Sequence, residues 1–160
     1  MIVNENNIED FLKKEDSQIE WKEKIIFDLN KDNVVEIALT SIANRFGGRL
    51  LFGVKNNGEL EGAGFEEDKD GLKIINIAHN NCSPPVICST NVVKFNGSDV
   101  LVVTIQKRND MPHAVINRKG AEIDNRKYYI RSGNSKRLVD DITLNYLFKN
   151  SEDPQLHLMI

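Results

Sequence analysis

Cysteine is scarce in this chain: only Cys82 and Cys88 occur in 160 residues, on either side of Pro84-Pro85. Their spacing matches no common zinc pattern, and three scattered histidines do not complete one. Buried thiols are expected, and a structural metal site is not. Long apolar runs are missing as well, so no segment approaches the length that crosses a bilayer. The opening MIVNENNIEDF lacks the basic and apolar regions of a signal peptide, which makes a cytoplasmic protein with no membrane partner the expectation. Nucleotide-loop signatures fail too. Arg49-Leu50 follow Gly47-Gly48 where a P-loop needs Lys and then Ser or Thr, and Glu67 stands where a dinucleotide fingerprint needs its third glycine. No Ser-His-Asp or Cys-His pattern is legible, and His113 has no partner the sequence names, which argues against nucleophilic hydrolase chemistry. Repeats and low-complexity linkers are absent.

What is present is an ordinary globular composition, 40% hydrophobic and 28% charged, long enough to bury one core. Residues 1–150 read as one domain. Residues 151–160 read as a tail that turns at Pro154, becomes apolar and leads toward a missing domain. The net charge of −3 excludes a protein that coats nucleic acid by charge alone, yet the charge is unevenly placed. Residues 59–70 are acidic. Residues 118–137 hold Arg118, Lys119, Arg126, Lys127, Arg131, Lys136 and Arg137 against only Glu122 and Asp124, enough for a local basic face.

Hydrophobic spacing gives the elements. A short helix is expected over 5–14, and the alternation of Ile19 and Trp21 with Glu20 and Lys22 predicts a half-buried strand. Val35, Ala38, Leu39, Ile42 and Phe46 keep helical spacing, with Asn33 and Glu36 as a capping-box-like start and Gly47 at the left-handed end. RLLFGV is a buried strand, and NNGE turns into a short return strand around Leu60. A helix over 71–81 stops before Pro84-Pro85. A hairpin follows with Asn96-Gly97 at its tip. Strands over 113–117 and 122–131 and a helix over 140–148 complete an α+β (mixed α/β) domain, a mixed sheet with flanking helices.

Two constellations carry chemistry. In EDSQIEWKE, Glu20 and Lys22 share a strand face, and Glu15 lies at the helix-to-strand junction. Glu15 and Glu20 together could hold a divalent cation that activates water against a phosphodiester, with Lys22 offsetting transition-state charge. The plainer alternative is a solvated, charged strand edge. In YYIRSGNSKR, Arg131, Lys136 and Arg137 offer charge, Ser132 and Ser135 offer hydroxyls, and Gly133-Asn134 offers a flexible loop for phosphate. The alternative there is a basic loop closing a hairpin. At most one of Tyr128 and Tyr129 faces out for base stacking.

These segments, together with LTSIANRFGGRLLFGVKNNGELEG, resemble the Schlafen-type AlbA_2 domain over roughly residues 10–148. The family pattern runs Glu-Ser-x-x-x-Glu-Phe-Lys, Ala-Asn-x-x-Gly-Gly-x-Leu-x-x-Gly-Val, and a late Tyr-x-Arg-x-Gly-Ser ending in Arg. Ala43-Asn44 through Gly47-Gly48 to Gly53-Val54 is the most specific match. The resemblance implies a compact fold associated with nucleic acid, found in bacterial regulators and defence proteins and in animal Schlafens. Several members are metal-dependent endoribonucleases acting on structured RNA such as tRNA, using two glutamates and an aspartate after the Gly-Val strand. Glu15 and Glu20 match the glutamates, although Asp16 intrudes before Ser17. The aspartate is unmatched: Lys55-Asn56-Asn57 stand there, and Glu59 or Asp28 would have to substitute.

The expected function is therefore a nucleic-acid-binding module of a regulatory or defence protein, with RNA ahead of single-stranded DNA. Arg45, Arg49, Lys55, Arg126, Lys127, Arg131, Ser135, Lys136 and Arg137 are its candidate contacts. An endoribonuclease using Mg²⁺ or Mn²⁺ on Glu15 and Glu20, with Lys22 as helper, is the alternative. A third reading is a protein-interaction module, as a homo-oligomer or against a fused partner domain.

Overall fold

Strand alternation builds the first sheet. Gly48–Phe52 (β2) and Ser98–Ile105 (β5) run antiparallel, with Leu50 opposite Val103 and Leu51 opposite Val102. Ile19–Lys22 (β1) pairs parallel to β2, and Cys88–Phe95 (β4) pairs antiparallel to β5, giving the order β1-β2-β5-β4. Leu50, Phe52, Leu101, Val103 and Ile105 cover one face, against the helices Val34–Ala43 (α2) and Leu72–Asn80 (α3). Leu51, Val100 and Val102 cover the other, against Val3, Trp21 and Ile8 of the short helix Ile8–Phe11 (α1). Each such side chain, fully buried, contributes roughly 1.5–3 kcal/mol. At the β4–β5 tip Asn96 (φ 50°) and Gly97 (φ 75°) form the left-handed pair that the Asn-Gly signal predicts.

The computed structural model describes residues 1–25, 33–109, 111–119 and 122–150. Asp28 and the 151–160 tail lie outside them. Its second sheet is antiparallel, in the order β3-β6-β7-β8: Cys82–Ser83, Ala114–Lys119, Glu122–Ser132 and Ser135–Leu138. Helix α2 lies between the two sheets, packed on β2 and on β7. The last helix, Asp141–Lys149 (α4), reaches the far side of the second sheet, where Phe148 meets Tyr128 edge-on at 5.9 Å. The class is α+β, as the patterning implies, but with two sheets around a helix where one mixed sheet was expected.

Four local expectations need correction. The first helix is only four residues long and starts late, because Asn7 Oδ1 and Asn4 Oδ1 accept from the backbone N–H groups of Asn4 and Asn6, Asn7 Nδ2 donates to Ile2 O, and residues 4–7 are held in a turn. The capping box does not form: Asn33 makes no side-chain cap, and Glu36 Oε1 accepts instead from Asn81 Nδ2 at 2.9 Å. Residues 135–138 are a strand rather than part of a loop. Finally, Glu20 on the charged face of β1 is buried rather than solvated, at 3% exposure.

Gly47-Gly48 is a packing corner. The Gly47 N–H bonds Ile42 O at 2.9 Å and closes α2, at φ +72°. A Cβ on Gly48 would collide with the Gln18 carbonyl, so the glycine lets β2 lie against the start of β1. Both cysteines are free thiols; burial pushes Cys82 far above the ordinary thiol range and Cys88 to about 11. Neither is a reactive thiolate. Among the described residues no helix is long and apolar enough to cross a membrane.

Candidate functional site

The chemistry-bearing residues converge where the edges of the two sheets meet. In β1, Ile19 and Trp21 pack toward α1, so Glu20, paired with Leu50, turns to the α2 side. From the second sheet, β7 and β8 fold back at Gly133-Asn134, with Gly133 at φ 59°, and the register sets Arg131 beside Lys136. Lys136 Nζ donates to Glu20 Oε1 at 2.6 Å, and Lys22 Nζ lies 3.2 Å from the same oxygen. Arg131 Nη1 lies 3.0 Å from Glu20 Oε2 as an ion pair outside hydrogen-bond geometry, since neither atom has a hydrogen-bond partner. Arg131 is fully buried and also donates from Nε to Asp16 O and from Nη2 to Ile19 O, which ties β7 to β1.

Three cations thus surround one carboxylate. Burial alone would raise the Glu20 carboxyl, but Lys22, Arg131 and Lys136 together hold it below the usual range. Burial depresses the Lys22 ammonium, with the Lys136 charge adding to that and Glu20 opposing it. Lys22 and Lys136 keep 19% and 28% of their side chains exposed, so this corner borders solvent.

The family model "Schlafen, AlbA_2" matches residues 15–140, from Glu15 of this corner to the start of α4. The chain belongs to the Schlafen AlbA_2 family. Membership suggests a nucleic-acid-related role. Among solved structures, the DIP2311 protein from Corynebacterium diphtheriae is similar in fold, at 15% identity and a TM-score of 0.55. That likeness covers 92% of this chain but only 28% of that one. No curated protein matches the chain.

In this AlbA_2 domain the donor set does not fit a divalent cation. Both oxygens of Glu20 already face cations, and Glu15 Oε1 accepts the Trp21 N–H at 2.8 Å. Lys55, which follows Gly53-Val54, sits 3.8 Å from Glu61, and Glu59 is exposed in the turn beyond β2. Among the described residues no three His, Cys, Asp or Glu side chains gather as metal ligands.

The other candidates disperse, because alternation splits the basic segment across two faces. Arg131 and Lys136 face β1, whereas Arg126 and Arg137, opposite Ile116 and Ile130, take the α4 side and are exposed. Lys127 is exposed on the Arg131 face, and Ser135 is exposed at the turn. Arg45 donates to Arg131 O at 3.1 Å and stacks over Phe46, while Arg49 bonds Met1 O and lies over Phe11 on the opposite side of the first sheet. Arg131 and Arg49 therefore act first as structural ties.

Asn44, quoted in the family motif without a role, is fully buried. Its Nδ2 donates to His113 O and Tyr129 O at 2.9 and 2.8 Å, and its Oδ1 accepts from His113 N at 2.7 Å. It pins the end of α2 to the second sheet. Arg108, nearly buried, likewise donates to Asn44 O at the end of α2 and to Leu147 O and Asn150 O at the end of α4. His113 finds its partner in Pro84 O, 2.7 Å from Nδ1, and burial lowers its pKa.

Proposed function

We propose that this domain binds single-stranded nucleic acid, RNA ahead of DNA, through phosphates held at the Lys22–Lys136 corner. The observation behind this reading is the charge imbalance around Glu20: three cations meet its one carboxylate, and the Lys22 and Lys136 side chains are partly exposed. An anion at that position offsets the excess that Glu20 leaves, and family membership supports nucleic acid as the source of the anion. Lys127, exposed on the Arg131 face of β7, adds a contact along the second sheet, whereas Arg126 and Arg137 lie on its other face. Binding on this reading uses no divalent cation, because ammoniums occupy the carboxylate the family's nucleases would give to metal.

The test is fluorescence anisotropy with labelled single-stranded RNA and DNA in EDTA over a range of salt. The affinity falls with salt, and each of Lys22→Gln and Lys136→Gln lowers the log–log slope by about 0.7. A flat salt response, or a double variant that binds like wild type, would sink the proposal. Cleavage of tRNA that appears with Mn²⁺ and disappears in Glu20→Gln would replace it with the endoribonuclease reading.

A further inference from the structure

One groove beside this corner has polar side chains that, among the described residues, bond nothing else in the fold. It lies between α2 and strands β6–β7, has a volume of about 370 Å³, and is lined in part by Ile37 and Val115. That is near the lower end of the roughly 300–1,000 Å³ of small-ligand pockets. Tyr129 forms one wall. Asn33, Asn117 and Asn125 bring three side-chain amides, and Lys127 brings an ammonium. Among the described residues, none of these five polar side chains makes a hydrogen bond or ion pair with the rest of the protein. Amides that cap no helix and cross-link no strand are available to a ligand.

The chemistry of the walls narrows that ligand. A side-chain amide carries two donors and an acceptor side by side, the complement of the mixed donor and acceptor edge of a nucleobase. Partly exposed Tyr129, beside the aliphatic Ile37 and Val115, offers an aromatic ring for stacking. In a duplex the base faces are covered and its pairing edge is used, so the fit is to an unpaired base. Position adds a third argument. Asn125, Lys127, Tyr129 and Arg131 alternate along one face of β7, and Arg131 is the residue paired with Lys136. Tyr129 is thus about 6.6 Å along the strand from the ion-pair corner.

We infer that the groove takes one unpaired nucleobase, stacked on Tyr129 and read by the Asn33, Asn117 and Asn125 amides, with Lys127 at its phosphate. This rests on the nucleic-acid reading above and deepens it: the corner holds backbone, and the groove selects strands with accessible bases.

Anisotropy with three labelled probes of equal length tests it: a single-stranded oligonucleotide, the same strand with abasic sites throughout, and a blunt duplex. Wild type is expected to bind the base-bearing strand at least about fivefold more tightly than the abasic strand, the low end of one stacking contact. Tyr129→Ala and the exposed pair Asn117→Ala/Asn125→Ala are expected to erase that preference and leave the salt dependence in place. The amide pair keeps the test valid should Tyr129→Ala fold poorly. Equal affinity of wild type for base-bearing and abasic strands overturns the groove alone, as does a preference that survives both variants or tighter binding of the duplex. Binding to none of the probes overturns the nucleic-acid reading, and the groove with it.

Discussion

Replacing Glu20 with alanine removes the only carboxylate among four side chains that meet between the sheets, and leaves Arg131 charged with no exposed surface. Breaking a buried pair by deleting one partner costs roughly 3–5 kcal/mol, because the remaining charge stays desolvated. Two features pull this case toward the lower figure. Arg131 keeps its bonds to Asp16 O and Ile19 O, and the partly exposed Lys22 and Lys136 can turn to water. A loss of about 3 kcal/mol is expected, a large share of the roughly 5–15 kcal/mol that holds a domain together. The melting temperature should fall by about 6–12 °C. Urea unfolding followed by Trp21 fluorescence reads the change directly, since Trp21 is the sole tryptophan and adjoins Glu20. The double variant Glu20→Ala/Arg131→Met should lose at least about 1 kcal/mol less than the sum of the single variants, because it leaves no orphaned charge. A cost below about 1 kcal/mol for Glu20→Ala would refute the argument, since it would mean the guanidinium is hydrated and the clamp idle.

Acid should weaken the fold in two steps. His113 has a folded pKa below its ordinary 6.5, so its contribution is present above 6.5 and declines as pH falls toward the folded value. Glu20 has a folded pKa below its ordinary 4.5, so its contribution holds above 4.5 and is lost as pH drops through the folded pKa; Glu20→Gln should remove that second step from a urea-midpoint profile. Gly48→Ala should destabilise by at least about 2 kcal/mol more than Gly62→Ala, since a Cβ at 48 meets the Gln18 backbone and a Cβ at 62 meets nothing within 4 Å. Equal urea midpoints would contradict the corner described for Gly47-Gly48. Asn44→Ala should cost about 3 kcal/mol by stranding buried His113 and Tyr129 backbone groups, whereas Asp140→Ala, which removes the 2.7 Å cap on Thr143 N, should cost about 1 kcal/mol. Chemical denaturation of both, side by side, checks the order.

Much of the framework was legible in short windows. The spacing of Val35, Ala38, Leu39 and Ile42 in α2, the Gly47 stop, the Asn96-Gly97 turn and the Asp140 cap of α4 each depend on neighbours a few residues apart and stand where the patterning puts them, whereas Phe46 falls beyond the end of α2 and is exposed. The capping box at Asn33 failed as its Glu36 carboxylate takes a competing partner, Asn81, from 45 residues beyond Glu36. The basic segment was correctly seen as dense in charge. Its division between two faces follows from β7 and β8 both being strands, and β8 carries no apolar alternation that announces one. The groove amides gave no signal at all, since Asn33, Asn117 and Asn125 are near one another only after α2 crosses the second sheet.

The sequence by itself determined that Glu20 and Lys22 share one side of a strand, because strand periodicity is a property of adjacent residues. It also determined that Lys55-Asn56-Asn57, with no carboxylate, follow Gly53-Val54. Only the tertiary structure decided which side of β1 is inside and what meets it there. Arg131 and Lys136 reach Glu20 from more than a hundred residues away, across the packing of two sheets around α2. Whether a carboxylate can hold a metal or is already neutralised depends on charges within a few ångströms, and no local pattern records which distant strand supplies them.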